Sequence, residues 1–112
     1  MYKVNQYQQI ICDFLKEYAA IKKSLTPNVK AETLIDKDNH HYQLIAIGWH
    51  NNRFVYTIAF HLDIINDKIW IQQNNSDILI ADELVERGVA KSDIVLGFLS
   101  EKARSHSGFA LA

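Results

Sequence analysis

Tyr7, Ile10, Ile11, Phe14, Leu15, Tyr18 and Ile21 recur at intervals of three and four, with Asp13, Lys16, Glu17 and Lys22 between them. That is the face of an amphipathic helix, since 3.6 residues complete a turn. Pro27 disfavours helical geometry in the residue before it, so the spacing predicts a helix over about residues 4–23. Cys12 falls beside the apolar stripe, where a small buried side chain is expected.

From Val29 the period becomes two. Four segments, about 29–36, 41–49, 54–63 and 68–73, are rich in β-branched and aromatic residues and read as strands. A two-residue turn at Asn51-Asn52 sets Trp49 opposite Phe54, Ile47 opposite Tyr56 and Ile45 opposite Ile58. A second turn at Asn66-Asp67 sets Ile64 opposite Ile69 and Leu62 opposite Ile71. Asn and Asp tolerate the positive φ of such turns. All these apolar side chains are expected on one face, because a slip of one residue reverses every one of them. The same register brings Tyr42 across from His61 and Trp70 across from Asp63.

Asn74-Asn75-Ser76-Asp77 reads as a turn leading into a helix over about 77–87, with Ile80, Ala81, Leu84 and Val85 inward and Gly88 as its C-terminal cap. Ile94–Leu99 is too short to assign by periodicity. Gly108–Ala112 is apolar and is expected to dock. The fold class is therefore α+β: a long N-terminal helix, a four-stranded antiparallel meander, a second helix and a docked C-terminal tail, all in one domain over residues 1–112.

Composition narrows the function. Hydrophobic residues are 48% and Gly plus Pro only five of 112, so a disordered or low-complexity chain is excluded. No apolar run approaches the ~20 residues that span a bilayer, and no membrane association is expected. A single cysteine forms no internal disulfide and suits a reducing cytoplasm. Twelve basic and thirteen acidic side chains give a net charge of −1, which offers no general attraction to phosphate.

Little of the chain carries recognisable chemistry. His61 and Asp63 point to one face of a strand, a usual beginning for a general base or a metal site, but no third ligand or nucleophile is placed beside them. Adjacent His40 and His41 lack zinc spacing, and Asp36-x-Asp38 lacks the glycine and glutamate of a calcium loop. No catalytic residue, cofactor or metal site is expected. Gly88-Val89 followed by Ile94 resembles the turn of a helix-turn-helix, yet Gly97 would interrupt the recognition helix and Lys91 is the sole basic residue before Lys102. The face opposite the helices is expected to be an interaction surface, with Tyr42, Leu44, Ala59 and Trp70 among Thr57, His61, Asp63 and Gln72.

Several strings in order resemble one family: Tyr42-Gln43-Leu44, Gly48-Trp49, Arg53, His61-x-Asp63-Ile64, Lys68-Ile69-Trp70-Ile71-Gln72, Ile80-Ala81-x-Glu83-Leu84, Gly88-Val89-x-Lys91, Asp93–Phe98, and Arg104 before Gly108-Phe109-Ala110. Together they resemble XisI, the fdxN-element excision controlling factor family. Asp67 stands where the family usually has glycine, Ala90 where proline is usual, and Leu99-Ser100 replaces a histidine and proline. The resemblance implies an accessory factor in programmed DNA excision, working beside a site-specific recombinase and an endonuclease-like companion, XisH. It implies no catalytic residue. The reading is a regulator acting through protein contacts, as a homodimer or with that companion; direct DNA binding is the alternative, and a hydrolase using His61 and Asp63 comes third.

Overall fold

The computed structural model describes residues 2–25 and 28–112, so the predicted stop at Pro27 lies outside the described residues. Helix α1 (Tyr2–Leu25) runs two residues beyond the periodicity at each end. Its buried side chains are Tyr7, Ile11, Cys12, Phe14 and Leu15, with Tyr18 partly buried behind them. Ile21 is 55% exposed, so the inward stripe ends one turn earlier than expected.

The sheet contains five strands in sequence order: β1 (Val29–Asp36), β2 (His41–His50), β3 (Arg53–Ile65), β4 (Lys68–Asn74) and β5 (Ile94–Leu96). The first four are antiparallel; β5 lies parallel to β4. The meander has its four expected strands, and the sheet carries one strand more than expected. Its residues come from the run that periodicity left unassigned, and they form a strand because the crossover through helix α2 (Ile80–Glu86) returns the chain to the sheet edge. Burial of Ile94 and Val95 follows.

Both two-residue turns form as expected. Asn51 and Asn52 have φ of 50° and 63°, and Asn66 and Asp67 have 52° and 64°. The expected face does not hold across β3. Leu44 pairs with Phe60 but Ile45 pairs with Ile58, which leaves Ala59 as an extra residue. A bulge of this kind breaks the alternation of the strand that carries it. Phe60, Leu62 and Ile64 keep to the helix side, whereas Phe54, Tyr56 and Ile58 turn to the opposite face with Ile45, Ile47 and Trp49. The bulge is anchored where its carbonyls find donors: Asn75 N–H donates to Ala59 O at 2.8 Å, and Gln73 Nε2 donates to Ile58 O at 3.1 Å.

Helix α2 begins three residues later than predicted, at Leu79-Ile80, without a side-chain cap. Asn74 and Ser76 instead hold the preceding turn: Ser76 N–H and Oγ–H donate to Asn74 Oδ1, and Ile78 N–H donates to Ser76 Oγ. Such local bonds compete with helix. At the other end Gly88 (φ 108°) donates to Val85 O and Val89 to Leu84 O, so the predicted cap is a Schellman motif with Val89 and Leu84 both buried. The segment likened to a helix-turn-helix is a 3-10 turn (Lys91–Asp93) followed by β5, and no recognition helix follows Gly88. The tail docks as expected: Ala110 bridges Val95, and Phe109 packs against the core.

One long-range polar contact joins these parts. Tyr7 Oη–H donates to Asp93 Oδ2 at 2.5 Å, with Lys3 Nζ at 3.2 Å from the same oxygen. Burial, then the Asp93 contact, pushes the Tyr7 phenol from 10.0 up to about 12. Tyr7→Phe is expected to cost about 1–3 kcal/mol at neutral pH, because a buried carboxylate loses a donor. A phenol with a raised folded pKa stabilises below the unfolded value and loses that contribution as pH climbs toward 12. Wild type should therefore lose its advantage over Tyr7→Phe between pH 10 and 12 in urea unfolding. A gap between the two that stays constant across that window would remove Tyr7 from this role.

Candidate functional site

With α1 and α2 on one side, the sheet has a back face, and the pairing fixes which side chains share it. The rows across the strands run Asp36–His41–Asp63–Trp70, then Leu34–Gln43–His61, Glu32–Ile45–Ile58 and Lys30–Ile47–Tyr56, ending at Trp49–Phe54. Polar chemistry gathers at one end and aromatic surface at the other.

The bulge decides the polar end. A strict ladder from the Asn51-Asn52 turn would bring Tyr42 to His61; one extra residue in β3 instead pairs Tyr42 with Leu62 and brings His41 to Asp63 and Gln43 to His61. His41 Nδ1 and His61 Nε2 each lie 2.8 Å from Asp63 Oδ1. Gln43 Nε2 lies 2.7 Å from His61 Nδ1, and Gln72 Nε2 donates to Asp63 Oδ2 at 3.2 Å. Burial raises the Asp63 carboxyl, but the bonds from His41, His61 and Gln72 outweigh it and hold the pKa below the ordinary value. The Asp63 hydrogen bond, reinforced by its charge, raises that of His41. The atoms of His41, His61 and Asp63 that could hold a cation lie within 4.8 Å of one another.

Of the six residues expected on this surface, the structure places four there: His61, Asp63, Trp70 and Gln72. Trp70 does sit opposite Asp63, as the register predicts. Tyr42 is a correction: it is fully buried against α1, where Gln8 Nε2 donates to its hydroxyl at 2.8 Å. Leu44 is buried on the same side. Thr57 is exposed but lies beyond the bulge on the helix side, in a groove with Tyr18, Lys22 and Val55. Sequence reasoning missed His41 and Gln43, because linear spacing does not reveal partners on a neighbouring strand.

The tail covers part of this face. Arg104, in the short helix α3 (Glu101–Arg104), places its guanidinium 5.3 Å from the Trp70 ring centre and donates to Leu111 O at 3.1 Å. Gly97 approaches the side chains of Gln72 and Trp70 so closely that a Cβ there would collide with the Gln72 amide. Gly97→Ala should therefore displace Gln72 from Asp63 and cost about 1–3 kcal/mol in thermal or urea unfolding. An unchanged midpoint would show that this packing has slack.

The open remainder is aromatic. Trp49, Phe54 and Tyr56 are 61%, 56% and 62% exposed, with Leu34 at 47%. Trp49 and Phe54 pair with ring centres 5.3 Å apart. No described helix is long and apolar enough to cross a membrane.

Comparison with known proteins agrees with the expected resemblance. No curated protein matches. Among solved structures, a XisI-like protein from Anabaena variabilis is 34% identical with a TM-score of 0.89, over 97% of this chain and 99% of that one. The fdxN element excision controlling factor XisI from the same organism is 32% identical with a TM-score of 0.83, over 98% and 99%. The profile of the family described as XisI protein spans residues 1–111, so helix, meander, crossover and docked tail are shared features, and the chain belongs to the XisI family.

Proposed function

We propose that this protein is a non-enzymatic accessory factor that controls programmed excision of a DNA element, acting in the cytoplasm through protein contacts. The observation that carries the reading is the similarity over nearly the whole chain to a protein named as an excision controlling factor. The open half of the back face gives that role a physical means. Trp49, Phe54 and Tyr56 are large, exposed and adjacent across the β2–β3 hairpin, with Lys30 and Glu32 in the rows beside them. Aromatic anchors inside a charged rim suit a protein partner. The partner we favour is an endonuclease-like XisH companion, with the site-specific recombinase contacted directly or through it; a homodimer would use the same surface.

Direct DNA binding is the weaker reading. The net charge is −1, and the polar end of the face gathers Asp36 and Asp63 where a phosphate track would need lysine and arginine. Hydrolysis is weaker still, since His61 and Asp63 are tied to Gln43, His41 and Gln72 with no nucleophile among them.

Excision reconstituted with recombinase, companion and this protein tests the proposal. The excised product should require this protein, which should co-sediment with the companion and leave duplex DNA unshifted at physiological salt. Submicromolar binding to duplex DNA by the protein alone, without co-sedimentation, would replace it with the DNA-binding reading.

A further inference from the structure

We propose that His41, His61 and Asp63 form a binding site for a divalent transition-metal ion at the polar end of the back face. The site is built on strands rather than loops. His41 and Asp63 face each other across β2 and β3, and His61 stands two residues from Asp63 on the same side of β3. Their Cβ positions are therefore fixed by the ladder, which is the preorganisation a metal site needs.

The distances suit exchange of protons for an ion. Two imidazole nitrogens converge at 2.8 Å on one carboxylate oxygen, held there by N–H hydrogens. Zinc takes histidine nitrogen at ~2.0–2.1 Å and carboxylate oxygen at ~2.0–2.2 Å, so an ion at the convergence point needs side-chain shifts of only about 1 Å. The proton count follows from the ligand chemistry. In the ion-free form each ring points an N–H at Asp63, His41 through Nδ1 and His61 through Nε2. On binding, that proton leaves and the vacated lone pair faces the ion; a ring protonated on both nitrogens releases one proton to solvent, and a neutral ring takes one back on its other nitrogen.

Neighbouring residues support this exchange. Gln43 sits 2.7 Å from His61 Nδ1; with its amide turned, Oε1 accepts the Nδ1–H of the metal-bound tautomer. An amide or carboxylate holding the far nitrogen of a ligating histidine is the usual second partner at such sites. Gln72 steadies the other oxygen of Asp63 at 3.2 Å. Asp36 lies opposite His41 and adds negative charge nearby, while its own oxygens are occupied by Asn39 and the backbone N–H of Asp38 and Asn39. Two imidazoles and one carboxylate select zinc, cobalt, nickel or copper over calcium or magnesium. The His41 side chain is 56% exposed, so the remaining coordination positions face solvent.

Titration of the full chain with Co²⁺, followed by visible absorption, and with Zn²⁺, followed by calorimetry, tests the proposal. One equivalent should bind. His61→Ala and Asp63→Asn should each weaken binding at least ~10-fold, and Gln43→Ala about 10- to 100-fold. His50→Ala and His106→Ala should leave it unchanged. If a ligand variant fails to fold, wild-type NMR decides: Zn²⁺ should shift ring nitrogens Nδ1 of His41 and Nε2 of His61. Absence of stoichiometric uptake, or uptake retained in a folded His41→Ala/His61→Ala variant, overturns the site, as do shifts confined to other histidines.

Discussion

Replacing Phe14 by alanine is expected to lower the free energy of unfolding by about 3–5 kcal/mol. Phe14 is 3% exposed and lies at the centre of the contact between α1 and the sheet. Its ring stacks on Phe60 with centres 5.5 Å apart and tilts against Tyr18 at 6.5 Å. Arg87 covers its outer side, with the guanidinium carbon 5.3 Å from the ring centre, while donating from both terminal nitrogens to the Glu17 carboxylate. Truncation would empty a space walled by β3, α1 and the end of α2, and none of these can collapse into it without breaking its own ladder or turn. It would also strip Arg87 of the aromatic surface on which it rests. Lys16, two residues on and exposed, should cost under ~0.5 kcal/mol as alanine. Urea unfolding of the two variants separates these outcomes. Equal midpoints would mean that α1 does not present Phe14 to the core.

The contrast between Phe14 and Lys16 was legible in the sequence, and so were both Asn-containing turns and the cap at Gly88. Each depends on residues close together in the chain: a 3.6-residue period, a pair tolerating positive φ, a glycine after the last helical turn. The fifth strand was not legible. Ile94–Leu96 is a strand only because β4 offers it an edge, and an edge is not a property of three residues. The bulge at Ala59 was hidden for the same reason. Within β3 the alternation reads without interruption, and the bulge is held from outside the strand, by the side chains of Gln73 and Asn75 and by the Asn75 backbone. That single residue moved Tyr42 from the expected surface into the core, brought His41 to Asp63, and turned Phe54 and Tyr56 outward. His61 and Asp63 were identifiable from their i, i+2 spacing; their partners were identifiable only through the register.

The outward turn of those aromatics leads to the second large expected effect. Trp49→Ala is expected to weaken assembly with the companion by about 30-fold or more, the threshold of ~2 kcal/mol that marks an interface hot spot. Trp49 and Phe54 form a non-polar pair at the open end of the hairpin, beside Tyr56 and Ile47, and both rings are more than half exposed. An aromatic pair so exposed contributes little to the monomer, about 0.5–1.5 kcal/mol, so the variant should remain folded. Desolvated against a partner, the same rings would release a large apolar area from water. Leu79→Ala is the control. Leu79 is more exposed than Trp49, at 72%, but it precedes α2 on the helix side and lies outside the proposed surface. Sedimentation of each variant, alone and with the companion, reads the effect directly, with a thermal melt to confirm that both are folded. Loss of assembly in Trp49→Ala with retention in Leu79→Ala would locate the contact on the back face. Loss in Leu79→Ala alone would move it to the helix side, and wild-type assembly by both would leave the aromatic patch without a part in partner binding.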